Sequence, residues 1–406
     1  MLELMFSAMA LGIVLLVVPY FAAQMGERKH LLPLLSVLLS LAVTATGPAV
    51  FLLWPSLIFV YIAFLPLAFF ALSPGLWFYT CALTAEQSWQ FHSSYGWHYL
   101  PMAFAGILAA FIHHLPLEQQ LLLFIAETSD VQGQTLFVAV MFLVAVLFWL
   151  GQSGCYLWLI IRRVRRYRRH LRQVFAEEQG KRLGWLELLL TLLLLSWICA
   201  VLNLSMAESY PSVWFSDAAV LLCLLLLVWL LAWVGLTQQP GFSDVYQVQT
   251  GATLSQALSQ TLSDKVKPAD ADVGPQAQNP VKYQRSALAE PQSLRIAAKL
   301  QQAMQSELLY LDETLTLYKL AEHLAVPAHY LSQTLNQTLQ MSFFEYVNQA
   351  RVEAAKEKLR QSDESVITIA LSVGFNARSS FYKAFKANTG QSPAQYRAAS
   401  QQDKVW

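Results

Sequence analysis

Charge is scarce in this chain of 406 residues. Asp, Glu, Lys and Arg make up 13% of it, while 56% is hydrophobic. A soluble domain carries about twice that charge. Cysteine is scarcer still. The four residues Cys81, Cys155, Cys199 and Cys223 lie within or at the edge of apolar segments, and none lies beyond residue 240. The C-terminal part therefore has no disulfide framework and no Cys-ligated zinc site. A glycine-rich phosphate loop, an HExxH pair and a nucleophile elbow are also missing, so nothing in the sequence calls for enzyme chemistry or a cofactor. The first apolar segment, about 4–25, starts almost at Met1 without a basic leader or a small-residue cleavage site. It is expected to be a retained span rather than a cleaved signal.

The chain divides in two by charge. Up to residue 240 there are 11 Lys/Arg and 11 Asp/Glu, unevenly spread; the remaining 166 residues hold 16 and 15, evenly spread. A bilayer-spanning helix needs roughly 20 mostly apolar residues. Seven segments qualify, at about 4–25, 31–53, 57–75, 99–115, 133–160, 183–205 and 215–237, with apolar character after the third continuing to Leu83. Segment 121–125 is too short to span and reads as loop. Every Lys and Arg before residue 240 falls in two places: Arg28 and Lys29, and the RRVRRYRRHLR run at 162–172 with Lys181 and Arg182. Basic loops stay cytoplasmic. Four spans separate the two basic loops and two more follow, so parity places the C-terminal half inside and the N-terminus outside. The exterior loops carry Glu118, Glu127, Asp130 and Glu208 but no Lys or Arg. The arginine run reads as a topology anchor at the anionic inner leaflet.

Other polar residues in this half carry little chemistry. His113 and His114 are adjacent, so on a helix they point about 100° apart and chelate poorly; no metal site is expected. His92 and His98, among Trp89, Tyr95 and Trp97, read as an interfacial aromatic belt. Asn203 marks either a ligand cavity or a polar contact between helices.

Residues 1–240 thus form a membrane domain, 241–291 a Gln-, Ser-, Ala- and Pro-rich flexible linker, and 292–406 a soluble helical domain. After Pro291 apolar residues recur at helical spacing, at Leu294, Ala297, Leu300 and Met304. Thr316 is placed to cap LYKLAEHL. AVP breaks that helix and AHYLSQTLNQT resumes it, with Leu331 and Leu335 inward. Ser342 and Glu345 form a capping box for a helix over about 343–360. VITIALSV is a further short helix stopped by Gly374. Asn376 is placed to cap the next, in which Phe381 and Phe385 face inward. Gly390 ends it, and Pro393 opens a last turn. Two helix-turn-helix units are thus joined by one helix of roughly 27 Å, close to the ~34 Å between successive major grooves on one face of B-DNA. The fold class is all-α: a polytopic, about seven-span membrane domain followed by a soluble domain with two such units.

The run LTLYKLAEHL…YLSQTLN…SFFEYVNQARVEAAKEKL…ITIALSVGFNARSSFYKAFKANTGQSPAQYR resembles the DNA-binding domain of AraC-family transcription regulators over about 305–398. The most specific parts are Gly374-Phe375, the SSFYKAFK spacing and G-x-S-P-x-x-Y-R from Gly390 to Arg397. The layout is similar to that of family members with a multi-span membrane domain in place of a cupin-like sensor. The resemblance implies base contacts by His329, Ser332 and Gln333, with Gln337 beside them, and by Arg378, Ser379, Tyr382 and Lys383. Gln pairs with adenine, and Arg or Lys with guanine. Arg351, Lys358 and Lys386 are assigned to DNA phosphate contacts or to packing.

Two features depart from the family. Pro327 stands where a capping Ser is usual, and the first recognition helix has no Lys or Arg. Residues 306–400 balance nine Lys/Arg against nine Asp/Glu, and phosphate neutralisation drives non-specific affinity. A soluble fragment of about 285–406 is therefore expected to select sites strongly only as a dimer or at low salt. The reading is a one-component regulator in the bacterial inner membrane, controlled by an unknown small-molecule or envelope signal. It binds double-stranded DNA as a homodimer, with membrane lipids around its spans and transmission through the helix near 292–306. The alternative is a membrane transporter or enzyme whose C-terminal domain is a protein-interaction module.

Overall fold

The computed structural model describes residues 1–85, 89–124, 132–176, 183–206, 217–238, 240–242 and 290–402. Among these residues there is no β-strand; one isolated antiparallel bridge joins Phe175 to Thr316. The expected linker lies almost wholly outside the described residues, as do Glu127, Asp130, Lys181, Arg182 and Glu208. The chain divides into two compact units. The first comprises Met1–Arg165 and Leu183–Tyr246; the second comprises Arg166–Arg182 and Gln247–Trp406.

In the first unit the helices are α1 (Leu2–Gln24), α2 (Leu31–Ala45), α3 (Gly47–Leu53), α4 (Ile58–Leu83), α5 (Leu100–His114), α6 (Leu117–Phe124), α7 (Gln134–Val174), α8 (Trp185–Met206) and α9 (Asp217–Thr237). Among the described residues, six helical stretches are long and apolar enough to cross a membrane: Leu2–Gln24, Leu31–Leu53, Pro55–Leu83, Ser93–His114, Gln134–Val174 and Asp217–Thr237. The remaining expected span, about 183–205, falls on α8, 22 residues long. Of the segment 121–125, expected as loop, residues 121–124 belong instead to α6, because Leu117–Phe124 closes two helical turns.

Close packing in this unit uses small residues, which let helix backbones approach one another. A Cβ on Gly235 of α9 would lie 2.4 Å from the Phe21 ring of α1, and one on Gly75 of α4 would lie 2.6 Å from Ser36 Oγ of α2. α7 packs along α4 and α5, where Val138 and Ala145 join Phe70, Leu108 and Ile112. Polar contacts hold it in register. Ser73 and Ser153 lie 3.1 Å apart, Gln152 Nε2 donates to the Phe70 carbonyl, and Arg163 Nε donates to Thr84 Oγ1 at 2.6 Å. Arg163 also sits over the Trp77 ring, so this member of the arginine run is a packing residue as well as a charge. His98 is likewise more than a belt residue. Its Nδ1 hydrogen-bonds the Tyr156 hydroxyl at 2.6 Å and its ring packs edge-on against Phe78, whereas Trp97 is 76% exposed.

The second unit contains the end of α7, then α10 (Glu290–Gln305), α11 (Leu317–His323), α12 (Ala328–Gln333), α13 (Phe343–Gln361), α14 (Val366–Ser372), α15 (Arg378–Thr389) and α16 (Pro393–Gln402). It has two apolar cores. In the first, Leu300 and Met304 of α10 meet Leu320, Leu331, Leu335 and Val347. In the second, Leu359, Ile369, Val373, Phe375, Phe381 and Phe385 meet. α13 runs through both and is 19 residues, or about 28 Å, long.

Candidate nucleic-acid interface

The first helical pair, α11 and α12, is built by local signals. Thr316 Oγ1 accepts from the Lys319 N–H at 3.2 Å and caps α11. The helix stops at a turn in which Val326 N–H reaches back to the Ala321 carbonyl and Ala325 N–H to the Glu322 carbonyl. Ala325 adopts φ +51°, a left-handed conformation that costs an L-residue about 1–2 kcal/mol. The second pair, α14 and α15, repeats this pattern. Ser365 Oγ caps α14 through the Thr368 N–H. Phe375 N–H reaches the Ala370 carbonyl and Gly374 N–H the Leu371 carbonyl. Both turns close with the six-to-one hydrogen bond of a Schellman motif. Here the left-handed residue is Gly374, at φ +92°.

The turns differ at their exits. α12 starts directly after Pro327, which provides no side-chain cap. α15 starts after Ala377, also without a side-chain cap. Asn376, expected as the cap, is therefore one residue too early, because the second turn is one residue longer. Counted from its first residue, each second helix buries its fourth and eighth positions: Leu331 and Leu335 in α12 and its continuation, Phe381 and Phe385 in α15. The same count aligns the sequence-selected polar residues. His329 and Ser379 occupy the second position, Ser332 and Tyr382 the fifth, Gln333 and Lys383 the sixth. His329, Arg378, Ser379 and Lys383 are exposed, and Ser332, Gln333 and Tyr382 half-buried. Each set thus lies on one helical face beside the core stripe, and Tyr382 also packs against the edge of the second core.

Contacts within each face are short-ranged. Gln333 Nε2 donates to Gln337 Oε1 at 2.9 Å, and Asn336 Nδ2 to the Ser332 carbonyl at 2.8 Å. In α15 the Arg378 guanidinium stacks over the Tyr382 ring at 5.0 Å. After Gln333 the backbone opens into a π-turn over Thr334–Thr338, with Leu339 N–H bonded to the Thr334 carbonyl. This widens the helix under Gln337, and no pattern in the sequence signals it.

The three residues assigned to phosphate or packing separate clearly. Arg351 is fully buried. Its Nε and Nη2 donate to the Tyr310 and Asp312 carbonyls, each at 2.8 Å, and its guanidinium lies over Phe375. Buried in this way, Arg351 packs between the two halves and has no surface turned to solvent. Gly374 completes the joint, since a Cβ there would lie 2.5 Å from the Tyr310 carbonyl oxygen. Lys358 and Lys386 are exposed, and Lys358 Nζ donates to Ser372 Oγ at 2.8 Å. No group of three or more metal-ligating side chains occurs among the described residues.

Residues 320–399 match a family described as a helix-turn-helix domain. The melibiose operon regulatory protein of Escherichia coli K12 is 35% identical over 91 residues, 22% of this chain and 30% of that protein. An uncharacterised HTH-type transcriptional regulator of Staphylococcus aureus strain COL is 37% identical over 89 residues, 22% of this chain and 12% of that protein. This chain therefore spans less than a third of the curated relatives it matches. Among solved structures, the C-terminal domain of AraT, a response regulator from Geobacillus stearothermophilus, is 33% identical over 26% of this chain and 84% of that one, with a TM-score of 0.24. Residues 320–399 are thus similar to the helix-turn-helix domain of curated transcription regulators, and they hold the two helical pairs described above.

Proposed function

We propose that the chain is a transcription regulator embedded in the bacterial inner membrane. Its second unit reads duplex DNA in the cytoplasm through the exposed faces of α12 and α15. The observation that carries this reading is the positional identity of the two faces. The same second, fifth and sixth helical positions bear hydrogen-bonding or cationic side chains, and the same fourth and eighth bear core residues. A protein-docking face would have no need for two copies of one register on either side of a rod about 28 Å long, a length suited to adjacent major grooves.

The roles divide by chemistry. Arg378 and Lys383 suit guanine edges or phosphates; Gln333 and His329 suit hydrogen bonds to base edges. Lys386 and Lys358 lie outside these faces as phosphate contacts. With nine Lys/Arg balanced by nine Asp/Glu over 306–400, one copy binds weakly, and pairing of two copies on DNA supplies the missing affinity. The seven spans expected from the sequence, with their basic loops inside, support a cytoplasmic location for this unit. A signal acting on the membrane domain must favour one of two states of the protein to alter its output.

The test is genome-wide DNA occupancy of the full-length protein beside the Arg378→Ala/Lys383→Ala double variant. Discrete sites lost in the variant are expected. An occupancy profile shared by both proteins would contradict the reading. A reporter fused after Trp406 should be active only in its cytoplasmic form.

A further inference from the structure

The helix α7 does not stop at the membrane. It runs unbroken for 41 residues, through the arginine run to Val174, although about 20 suffice to cross a bilayer. Its residues up to Arg165 belong to the first unit and those from Arg166 to the second. Within the second unit this end carries its own apolar stripe. Tyr167, Leu171, Val174, Phe175 and Ala176 are all buried, whereas Arg166, Arg169, Arg172 and Gln173 are exposed. An anchor serving only the lipid headgroups has no use for a buried stripe on its far side.

The stripe ends in specific contacts with the first half of the unit. Phe175 forms the antiparallel bridge with Thr316, the residue that caps α11. Ala176 is a member of the core built from Leu300, Leu320, Leu331 and Val347. Its carbonyl accepts a hydrogen bond of 3.1 Å from Asn348 Nδ2. This contact gives the buried Asn348 amide nitrogen its partner. It is buried on α13, between Val347 and Val352 of the two cores, and a buried amide without a partner costs about 1–3 kcal/mol. At the rim, the Ser342 N–H and hydroxyl hold the Glu345 carboxylate below its ordinary range, and the charge of Arg172 adds to this.

We propose that Arg166–Ala176, the end of α7 with the two residues that follow it, is a docked structural part of the first helix-turn-helix half, and that movement of α7 is passed to that half through Phe175–Thr316 and Ala176–Asn348. This route differs from the helix near 292–306 that the sequence favours, and it does not pass through residues 243–289. The docking stands on its own contacts; its use as a regulatory link rests on the function proposed above.

Residues paired across an antiparallel bridge have Cα atoms about 4.5–5.5 Å apart, within disulfide range. In full-length protein in native membranes, the pair Phe175→Cys/Thr316→Cys should cross-link at least about fivefold more than the control Gln173→Cys/Thr316→Cys. Equal yields would overturn the docking. Hydrogen exchange of the unmodified full-length protein gives a second reading independent of substitution. Protection of 171–176 as strong as that of 343–352 supports the docking, and free exchange there overturns it. Neither readout involves DNA, so a protein that bound no DNA would still test this claim. For the link, two alanines inserted after Arg165 turn the stripe by about 200°. DNA occupancy should change at least about tenfold, while two alanines inserted after Gly274 should leave it unchanged. If both insertions left occupancy unchanged, the link would be refuted.

Discussion

The two helical pairs of the second unit solve one folding problem with different residues. Both close their turns with the same backbone hydrogen bonds and bury the same helical positions. The second pair places Gly374 where the backbone turns left-handed, whereas the first places Ala325 there. The second fills its core with Phe381 and Phe385, the first with Leu331 and Leu335. The second presents Arg378 and Lys383, the first only neutral or titratable groups such as Gln333 and His329. The first half therefore relies more on its surroundings, and the end of α7 is one part of them. Backbone geometry is shared; stability and charge are not.

Substitutions can break this comparison, and the largest effect is expected at the joint between the halves. Arg351→Ala strips hydrogen bonds from two carbonyls and removes a buried guanidinium. A loss of about 3 kcal/mol is expected, read as faster hydrogen exchange across 343–361. Arg351→Lys should recover only part of it, because an ammonium cannot reproduce the planar fork. Next is Gly374→Ala, which combines a left-handed residue with a Cβ facing the Tyr310 carbonyl. It should cost about 2 kcal/mol or more, with lost protection centred on α14 and α15.

Differences in charge should appear in DNA binding. Removing Arg378 or Lys383 should weaken binding by about 1–3 kcal/mol if the side chain pairs with a base. If it meets a phosphate, the slope of affinity against salt should fall by about one. Gln333→Ala should weaken selected sites while leaving that slope unchanged. The smallest effects should come from making the first pair resemble the second or its family. Ala325→Gly relieves the left-handed strain, and Pro327→Ser supplies the absent cap. Each should stabilise the first half by about 1 kcal/mol or less, measured by denaturant-dependent exchange of α11 and α12.

Much of this architecture was legible because its signals are local. The Ser342–Glu345 capping box, Thr316, Gly374, Gly390 and Pro393 occupy the helix ends that their chemistry marks. Leu331, Leu335, Phe381 and Phe385 were assigned inward by spacing alone and are buried. What the sequence hid depends on contacts distant along the chain. The sequence leaves Arg351 between a phosphate contact and packing, because the Tyr310 and Asp312 carbonyls that bind it lie about 40 residues away. Asn348 draws no notice in the sequence, because its partner, the Ala176 carbonyl, lies 172 residues away. The arginine run masked the apolar stripe at Tyr167, Leu171 and Val174, because charge dominates the composition there. The extra residue before α15 escaped notice because Asn376 is itself a good cap.

The central claim, that two equivalent helical faces read one duplex, is tested most directly by selection of random-sequence duplexes on the full-length protein in lipid nanodiscs, across a range of salt. The account expects one enriched sequence with two short elements about 10–10.5 base pairs apart, weakened at one element by Gln333→Ala and at the other by Lys383→Ala. Absence of enrichment at every salt concentration, or enrichment insensitive to both substitutions, would contradict it.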